Sequence, residues 1–223
     1  MLTLIIIPNK GYQESTMRIT KRLSEVHDRI CYVSLNERYE ALTKGMKKEK
    51  VPVSKFFIVD AITRNTKACK KADDNCVFVS SPNSLMELSL AITDAIKSHG
   101  AQALMFDSIS TLLIYESAGV STKFMHSLIG RIKEFGAECV LTALDGDKES
   151  ETVRDLGMFV NETITMAEYD LRYTDKKKTE EDRLPKKKIT PAIRPELKID
   201  EGEIEIIGGM KGEGKKRGKK SSE

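Results

Sequence analysis

Several features that would suggest a membrane or exported protein are missing from this chain. It has no tryptophan, and aromatic residues make up only 6% of its 223 residues. No apolar run reaches the roughly 18–20 residues that a membrane-spanning helix requires. The apolar start at residues 2–7 has no basic segment before it and is too short for the core of a signal peptide. We therefore expect a cytoplasmic protein in which this first run is a buried strand.

Patterns of metal-binding residues are also missing. A structural zinc site usually needs closely spaced pairs of cysteine, often combined with histidine. The four cysteines form no CxxC pair, and the three histidines are scattered. These residues are Cys31, Cys69, Cys76, Cys139, His27, His99 and His126. The sequence therefore favours reduced core cysteines, as in a cytoplasmic protein, over a metal centre.

The charge is distributed unevenly. The chain has a formal net charge of +3, but residues 208–223 hold six basic and two acidic residues, a net +4 that leaves −1 for the rest. Such a segment can contact nucleic acid or another polyanion, or it can be a disordered terminus that improves solubility. No aromatic residue lies in it, so base stacking is not expected there. The basic residues are Lys211, Lys215, Lys216, Arg217, Lys219 and Lys220.

Apolar runs typical of strands alternate with helical patterns as far as residue 144. Such alternation predicts parallel strands joined by helical crossovers, with helices covering both faces of the sheet. The predicted strands cover residues 2–7, 30–35, 56–59, 76–80, 103–106 and 139–143. The predicted helices cover residues 15–26, 37–48 and 121–135, together with one that a Ser84–Glu87 capping box starts and Gly100 ends. The sequence thus predicts an α/β fold with ligands at the carboxyl ends of the strands.

The regular pattern weakens after residue 145. A helix at 152–159 and a strand at 160–166 complete a first domain, which we predict to cover residues 1–166. Residues 167–207 are highly charged and are predicted to form a linker, with a candidate β-hairpin at 198–207. Residues 208–223 are predicted to be a flexible basic tail.

The connection after the first strand has the length and setting of a phosphate-binding P-loop, GxxxxGK[ST]. In such a loop the backbone N–H groups surround the phosphates and the lysine reaches the outer ones. In this chain Pro8 and Gln13 stand at the two glycine positions, and Glu14 stands at the lysine position. Only the hydroxyls of Ser15 and Thr16 are retained. The sequence therefore predicts a degenerate Walker A loop.

The charge reversal at Glu14 is large enough to matter. A unit charge about 4 Å from a phosphate charge is worth about 4 kcal/mol at an effective dielectric constant near 20. Exchanging lysine for glutamate removes that attraction and adds a repulsion. Lys10 and Gly11, earlier in the loop, could partly substitute for the missing groups. The alternative is a plain strand-to-helix turn in which Gly11 supplies flexibility.

Asp107 ends the fifth predicted strand. In P-loop proteins an aspartate in this position contacts the water shell of Mg²⁺. Aspartate is also a common strand terminator, so the residue alone leaves both interpretations open.

Three segments resemble the KaiC/RadA branch of the RecA-like P-loop ATPases. Residues 106–113, FDSISTLL, are similar to the hhhDSxSxLL segment of that branch, and residues 124–144 resemble its next helix and strand. Residues 30–37 resemble a strand that ends in two glutamates in KaiC-like proteins. The resemblance covers residues 1–166 and is nearest to archaeal KaiC-like proteins with degenerate loops.

This resemblance implies a three-layer RecA-like P-loop NTPase fold with a mostly parallel central sheet, in a family that assembles into oligomers. It implies Mg-ATP as the cofactor of active members. Glu37 matches the second glutamate, one of which polarises the attacking water, and Asn36 replaces the first. Asp107 and Ser15 match the Mg²⁺-binding groups. The nucleotide-binding candidates are Lys10, Gly11, Ser15 and Thr16. An alternative explanation for Asn36 and Glu37 is local, since Asn is a good helix N-cap and Glu favours a first helical turn.

Three functions are consistent with these residues. The first, which we favour, is a non-hydrolysing binding or regulatory module that acts on a protein partner or assembles into a homo-oligomer. The second is an atypical ATP-binding protein or weak ATPase that uses Lys10, Glu37 and Asp107. The third is an accessory protein that binds nucleic acid through the basic residues of 208–223.

Overall fold

A computed structural model of the chain describes residues 1–66 and 74–173. Seven strands form one sheet in the order β4-β3-β2-β5-β6-β1-β7, and every pair of neighbours is parallel. The predicted α/β fold with a mostly parallel sheet is confirmed. The strands are β1 (Leu2–Ile7), β2 (Ile30–Ser34), β3 (Phe56–Asp60), β4 (Cys76–Phe78), β5 (Ala103–Asp107), β6 (Glu138–Leu144) and β7 (Glu162–Thr165).

Helices cover both faces of the sheet, which gives three layers. Alternate residues of β1 enter different hydrophobic cores: Leu4 and Ile6 enter one, and Ile5 and Ile7 enter the other. Strands buried on both faces need apolar side chains at successive positions, which explains the continuous apolar runs. The helices are α1 (Tyr12–Val26), α2 (Tyr39–Lys48), α3 (Thr63–Thr66), α4 (Leu85–Lys97), α5 (Ile109–Tyr115), α6 (Ala118–Phe135) and α7 (Glu151–Phe159), and residues 166–173 are helical as well.

The start of α2 corrects one local prediction. The helix begins at Tyr39 with Arg38 as its N-cap, so Asn36 and Glu37 are neither its N-cap nor part of its first turn. The cap comes from the neighbouring strand instead, because the Tyr39 N–H donates to Asp60 Oδ2 at 2.7 Å. Asn36 and Glu37 therefore stay in the loop at the carboxyl end of β2.

The start of α4 corrects a second prediction. Ser84 is the N-cap residue, but its side chain makes no capping hydrogen bond. Glu87 reaches Ser80 instead of Ser84, accepting hydrogen bonds from the Ser80 N–H at 3.0 Å and from its hydroxyl. The expected capping box is therefore wrong, because Glu87 accepts hydrogen bonds from Ser80, which precedes the helix, and not from Ser84.

The cysteines within the described residues are Cys31, Cys76 and Cys139, and all three are buried, whereas Cys69 lies outside that part of the chain. Residues 1–66 and 74–173 contain no group of three side chains suited to holding a metal ion. Among the described helices, none combines the length and apolar character needed to cross a bilayer. The predicted hairpin at 198–207 and the basic residues of 208–223 lie outside the described residues.

Candidate functional site at the carboxyl edge of the sheet

A polar cavity of about 370 Å³ lies where β1, β2 and β5 end. Parallel strands bring their carboxyl ends to the same edge of a sheet, and ligands of such folds bind there. Two of the lining residues are carboxylates, and none of the described residues that line this cavity is a lysine, arginine or histidine. The lining residues are Asn9, Tyr12, Gln13, Thr16, Asn36, Glu37, Asp107, Ser108, Thr111 and Leu144.

Asp107 is the most buried ionisable group of the cavity, with 3% of its surface exposed. Its Oδ1 accepts hydrogen bonds from the Tyr12 hydroxyl and from Asn36 Nδ2, the latter at 2.6 Å. Its Oδ2 accepts one from the Tyr32 hydroxyl at 2.6 Å. Burial raises the pKa of Asp107, although the three hydrogen bonds oppose that rise. Within the part of the chain that the structure describes, the partners of this carboxyl group are neutral hydrogen-bond donors.

Tyr12 stands at the first position of α1, directly after the loop that resembles a P-loop. The chain turns into the helix at Gly11, whose φ of 78° lies in the left-handed region. This turn directs the Tyr12 ring inwards, where its hydroxyl contacts Asp107 and lies 3.3 Å from Thr142 Oγ1. Burial, together with the negative charge of Asp107, raises the pKa of Tyr12 far above that of an ordinary phenol. The hydroxyl therefore stays protonated and acts as a donor.

Asn36 joins the end of β2 to the start of α5. Its amide nitrogen donates to Asp107, and its amide oxygen accepts a hydrogen bond from the Thr111 hydroxyl. The hydroxyl of Ser108, the N-cap of α5, accepts a hydrogen bond from the Thr111 N–H at 3.2 Å. A glutamate at position 36 would place a second carboxylate against Asp107, whereas the asparagine supplies a donor. The Asn36 side chain therefore fits a network built around an enclosed carboxyl group.

Glu37 is half-buried and lies at the mouth of the cavity. Its Oε1 accepts a hydrogen bond from Gln13 Nε2 at 2.8 Å, which connects α1 to the loop before α2. Burial raises the pKa of Glu37, and the negative charge of Asp107 raises it further. The site therefore carries acidic groups without a nearby basic side chain among those that line it.

The structure brings together only some of the site residues proposed from the sequence. Thr16, Glu37 and Asp107 line the cavity, whereas Lys10, Gly11 and Ser15 are not among its lining residues. The Lys10 side chain is exposed. The Ser15 side chain is buried, and its hydroxyl accepts a hydrogen bond from Arg18 Nη2 at 3.2 Å.

Sequence reasoning did not identify the two tyrosines that hold Asp107. A weak signal was present for Tyr32, which interrupts the apolar β2 run with a hydroxyl that needs a partner when buried. Tyr32 is fully buried, and its partner lies 75 residues further along the chain. Tyr12 lies in the segment that resembles a P-loop, but its role depends on Asp107, 95 residues away.

The sequence model of a family described as a family of unknown function (DUF7504) matches residues 12–166. Among solved structures, the chain is similar to the KaiC-like protein PH0186 from the hyperthermophilic archaeon Pyrococcus horikoshii OT3. The two are 17% identical with a TM-score of 0.52, and the match covers 74% of this chain and 69% of the other. No curated protein shows a significant match. At this level of identity the similarity demonstrates a RecA/KaiC-like fold and nothing about activity.

Proposed function

This chain belongs to the DUF7504 family, whose function is unknown, and we propose that it is a binding or regulatory module built on a RecA/KaiC-like ATPase fold that does not hydrolyse ATP. The main support is that protein hydrogen bonds already occupy both oxygens of the Asp107 carboxyl group. Its carboxyl group, which corresponds to the Mg²⁺-binding aspartate of active relatives, is held by Tyr12, Tyr32 and Asn36.

The groups around Asp107 do not fit a Mg²⁺ site. Magnesium prefers near-octahedral oxygen coordination and usually keeps several water molecules. At Asp107 both carboxylate oxygens already accept hydrogen bonds, Oδ1 from the Tyr12 hydroxyl and Oδ2 from the Tyr32 hydroxyl. The Tyr12 hydroxyl and the Asn36 amide would both have to leave before a hydrated cation could approach.

The charges around the cavity do not fit a polyphosphate. The described residues that line the cavity include Glu37 and Asp107 but no lysine, arginine or histidine, and Glu14 stands where the P-loop lysine would be. Each carboxylate placed about 4 Å from a phosphate charge opposes binding by about 4 kcal/mol at an effective dielectric constant near 20. Screening by solvent reduces this value at the exposed Glu14, yet each of these carboxylates opposes phosphate binding when it is ionised. These observations support a degenerate Walker A loop that no longer binds nucleotide phosphates.

A cavity of about 370 Å³ remains at this edge, and it is rich in hydroxyl and amide groups. Such groups select ligands by hydrogen bonding. We therefore propose that the inherited nucleotide face now recognises a ligand or a protein partner, including a second copy of this chain. Oligomer formation and a protein partner both remain part of this proposal.

Isothermal titration with Mg-ATP tests the proposal. We expect no binding, or a Kd in the millimolar range, for the wild-type chain, and no ATP hydrolysis above background. Asp107→Ala should leave this result unchanged. Tyr12→Phe, which keeps the ring and removes the hydroxyl, serves as the matched variant and should also bind no nucleotide.

Micromolar binding of Mg-ATP that is abolished by Asp107→Ala would contradict the proposal. It would instead favour the atypical ATPase, in which Lys10, Glu37 and Asp107 handle the nucleotide. Lys10 would then have to move, because it is exposed and is not among the residues that line the cavity.

A further inference from the structure

A second cavity, of about 360 Å³, lies between α1 and α2 next to the first. The two cavities share Gln13, Thr16 and Glu37, so the Gln13–Glu37 hydrogen bond stands at their common wall. The apolar residues that line the second cavity, which we call its floor, are Met17, Ala41, Leu42 and Gly45. We call this cavity the α1–α2 slot.

Gly45 keeps the slot open. A glycine inside a helix costs about 1 kcal/mol relative to alanine, and Gly45 lies in the middle of α2. A Cβ atom at this position would lie 3.2 Å from Met17 Cε, the movable end of a flexible side chain. The contact between the two helix backbones therefore does not require a glycine. Its effect is to leave space above the floor of the slot.

The two ends of the slot carry opposite charge. Glu14 and Glu37 line the end at the carboxyl edge of the sheet, whereas Lys21 and Lys48 line the far end. Glu14 and Lys21 are seven residues apart on one helix, which corresponds to about 10 Å at a rise of 1.5 Å per residue.

The two lysines are available to a ligand. Among the described residues, neither Lys21 nor Lys48 forms an ion pair. Arg18, a third basic residue of the slot, is already engaged, since it pairs with Asp170 at 3.2 Å. Glu49 also lines the far end and reduces its net positive charge without reversing it.

We propose that the α1–α2 slot binds an elongated small molecule with an ammonium group at one end, an apolar body and a carboxylate or phosphate at the other end. The ammonium group would lie between Glu14 and Glu37, the apolar body on Met17 and Leu42, and the anionic group between Lys21 and Lys48. This assignment rests on the proposed function, in which the carboxyl-edge face binds a ligand, and it adds the chemical class of that ligand.

Methyl NMR of the full chain labelled with [methyl-¹³C]methionine tests the proposal, with 8-aminooctanoate as the probe. We expect the probe to shift the Met17 methyl signal in a saturable manner, because that methyl group faces the slot. Met86 and Met158 are 79% and 72% exposed and lie elsewhere, so they report non-specific contact and should not shift. Met17→Leu identifies the signal.

Two variants separate slot binding from other effects. Gly45→Leu should fill the slot and weaken probe binding at least tenfold. Gly130→Leu is the matched control, because Gly130 is also a helical glycine but has nothing within 4 Å of an added Cβ; this variant should bind like the wild type. Lys48→Gln, a surface change that leaves the core intact, should weaken binding several-fold, and the weakening should diminish at high salt.

The proposal is overturned if the probe leaves Met17 unshifted, if it shifts Met17, Met86 and Met158 alike, or if Lys48→Gln binds as tightly as the wild type. Equal binding of 1,8-diaminooctane would also overturn it, since that probe has no anionic end. These results are independent of the Mg-ATP titration. Micromolar binding of Mg-ATP that Asp107→Ala abolishes would refute the proposed function whatever the probe does, and an unshifted Met17 signal would refute only the slot.

Discussion

At the scale of single residues, the surroundings of Asp107 determine how its carboxyl group titrates. A buried carboxylate is strongly disfavoured unless it is paired or hydrogen-bonded. Tyr12, Tyr32 and Asn36 supply three hydrogen bonds but no compensating positive charge. The electrostatic cost of the charge is therefore only partly offset, which is why burial raises the pKa of Asp107.

This raised pKa leads to a prediction about stability and pH. The folded chain holds the Asp107 proton more tightly than the unfolded chain does. The resulting stabilisation is fully present below the unfolded pKa of about 4 and is lost as pH rises through the higher folded pKa. Asp107→Asn cannot ionise, so the stability of the wild type relative to this variant should fall as pH rises from about 4 to about 7. Urea denaturation at several pH values measures that difference.

Asp28 provides a control with the opposite sign. A hydrogen bond and charge interaction with Lys55 lower the pKa of Asp28, so its contribution appears above the unfolded pKa and is lost as pH falls. The stability of the wild type relative to Asp28→Asn should therefore rise, or stay level, over the same pH range. A rise with pH for Asp107→Asn as well would mean that the three hydrogen bonds outweigh the burial of the carboxyl group.

Sequence patterns predicted the position of Asp107 but not what surrounds it. An apolar run that ends in an acid indicates a residue at the carboxyl edge of a sheet, and Asp107 lies there. The identity of its partners depends on the turn at Gly11 and on strand neighbours that are distant in sequence. Asn36 illustrates the limit, because its residue type suggested an N-cap while Asp60, at the end of the adjacent strand, performs that role for α2.

At the scale of helices and strands, a glycine inside α6 and the glycine that caps its C-terminus lie in contrasting settings. Gly136 caps the C-terminus of the helix with a φ of 70°, whereas Gly130 lies inside the helix in open space. A side chain in the left-handed region costs about 1–2 kcal/mol, and a glycine inside a helix costs up to about 1 kcal/mol relative to alanine. Gly136→Ala should therefore lower the free energy of unfolding by about 1 kcal/mol or more, and Gly130→Ala should raise it by about 0.5–1 kcal/mol.

Urea denaturation of the two variants, compared with the wild type, checks this pair. The substitution is chemically identical at both positions, so any general effect of an added methyl group cancels between them. Equal changes with the same sign would show that backbone conformation does not determine the outcome at the end of α6.

The helices and strands were predictable where one short-range pattern determines them. β1 (Leu2–Ile7) matches the apolar run, and α7 (Glu151–Phe159) begins one residue before the predicted start at 152. α5 was not predicted, because it has only seven residues and begins immediately after its N-cap Ser108 at the end of a strand. Its polar residues are also common in loops. The start of α4 was misjudged in detail because Glu87 had two serines within reach, and only the fold determines which one it contacts.

At the scale of the whole molecule, the parallel sheet brings Asp107, Tyr12 and Asn36 to one edge. The basic excess of the sequence lies elsewhere, in residues 208–223. Within residues 1–66 and 74–173, no basic side chain lines the cavity at that edge. Any contact with nucleic acid phosphates is therefore expected from residues 208–223 rather than from the carboxyl-edge cavity. The described residues do not include this segment, so the expectation rests on its sequence.

A gel-shift assay with single-stranded DNA of mixed sequence tests this division of roles. The full chain should retard the DNA at low salt and lose that binding at high salt, whereas a chain truncated before residue 208 should bind at neither concentration. Residues 208–223 contain six basic residues, so the slope of log K against log salt should be no steeper than about −4. Binding that survives the truncation, or a steeper slope, would show that other parts of the chain contact the DNA. If the full chain also fails to bind at low salt, the segment does not act as a nucleic-acid contact, because its charge should give its largest effect under that condition.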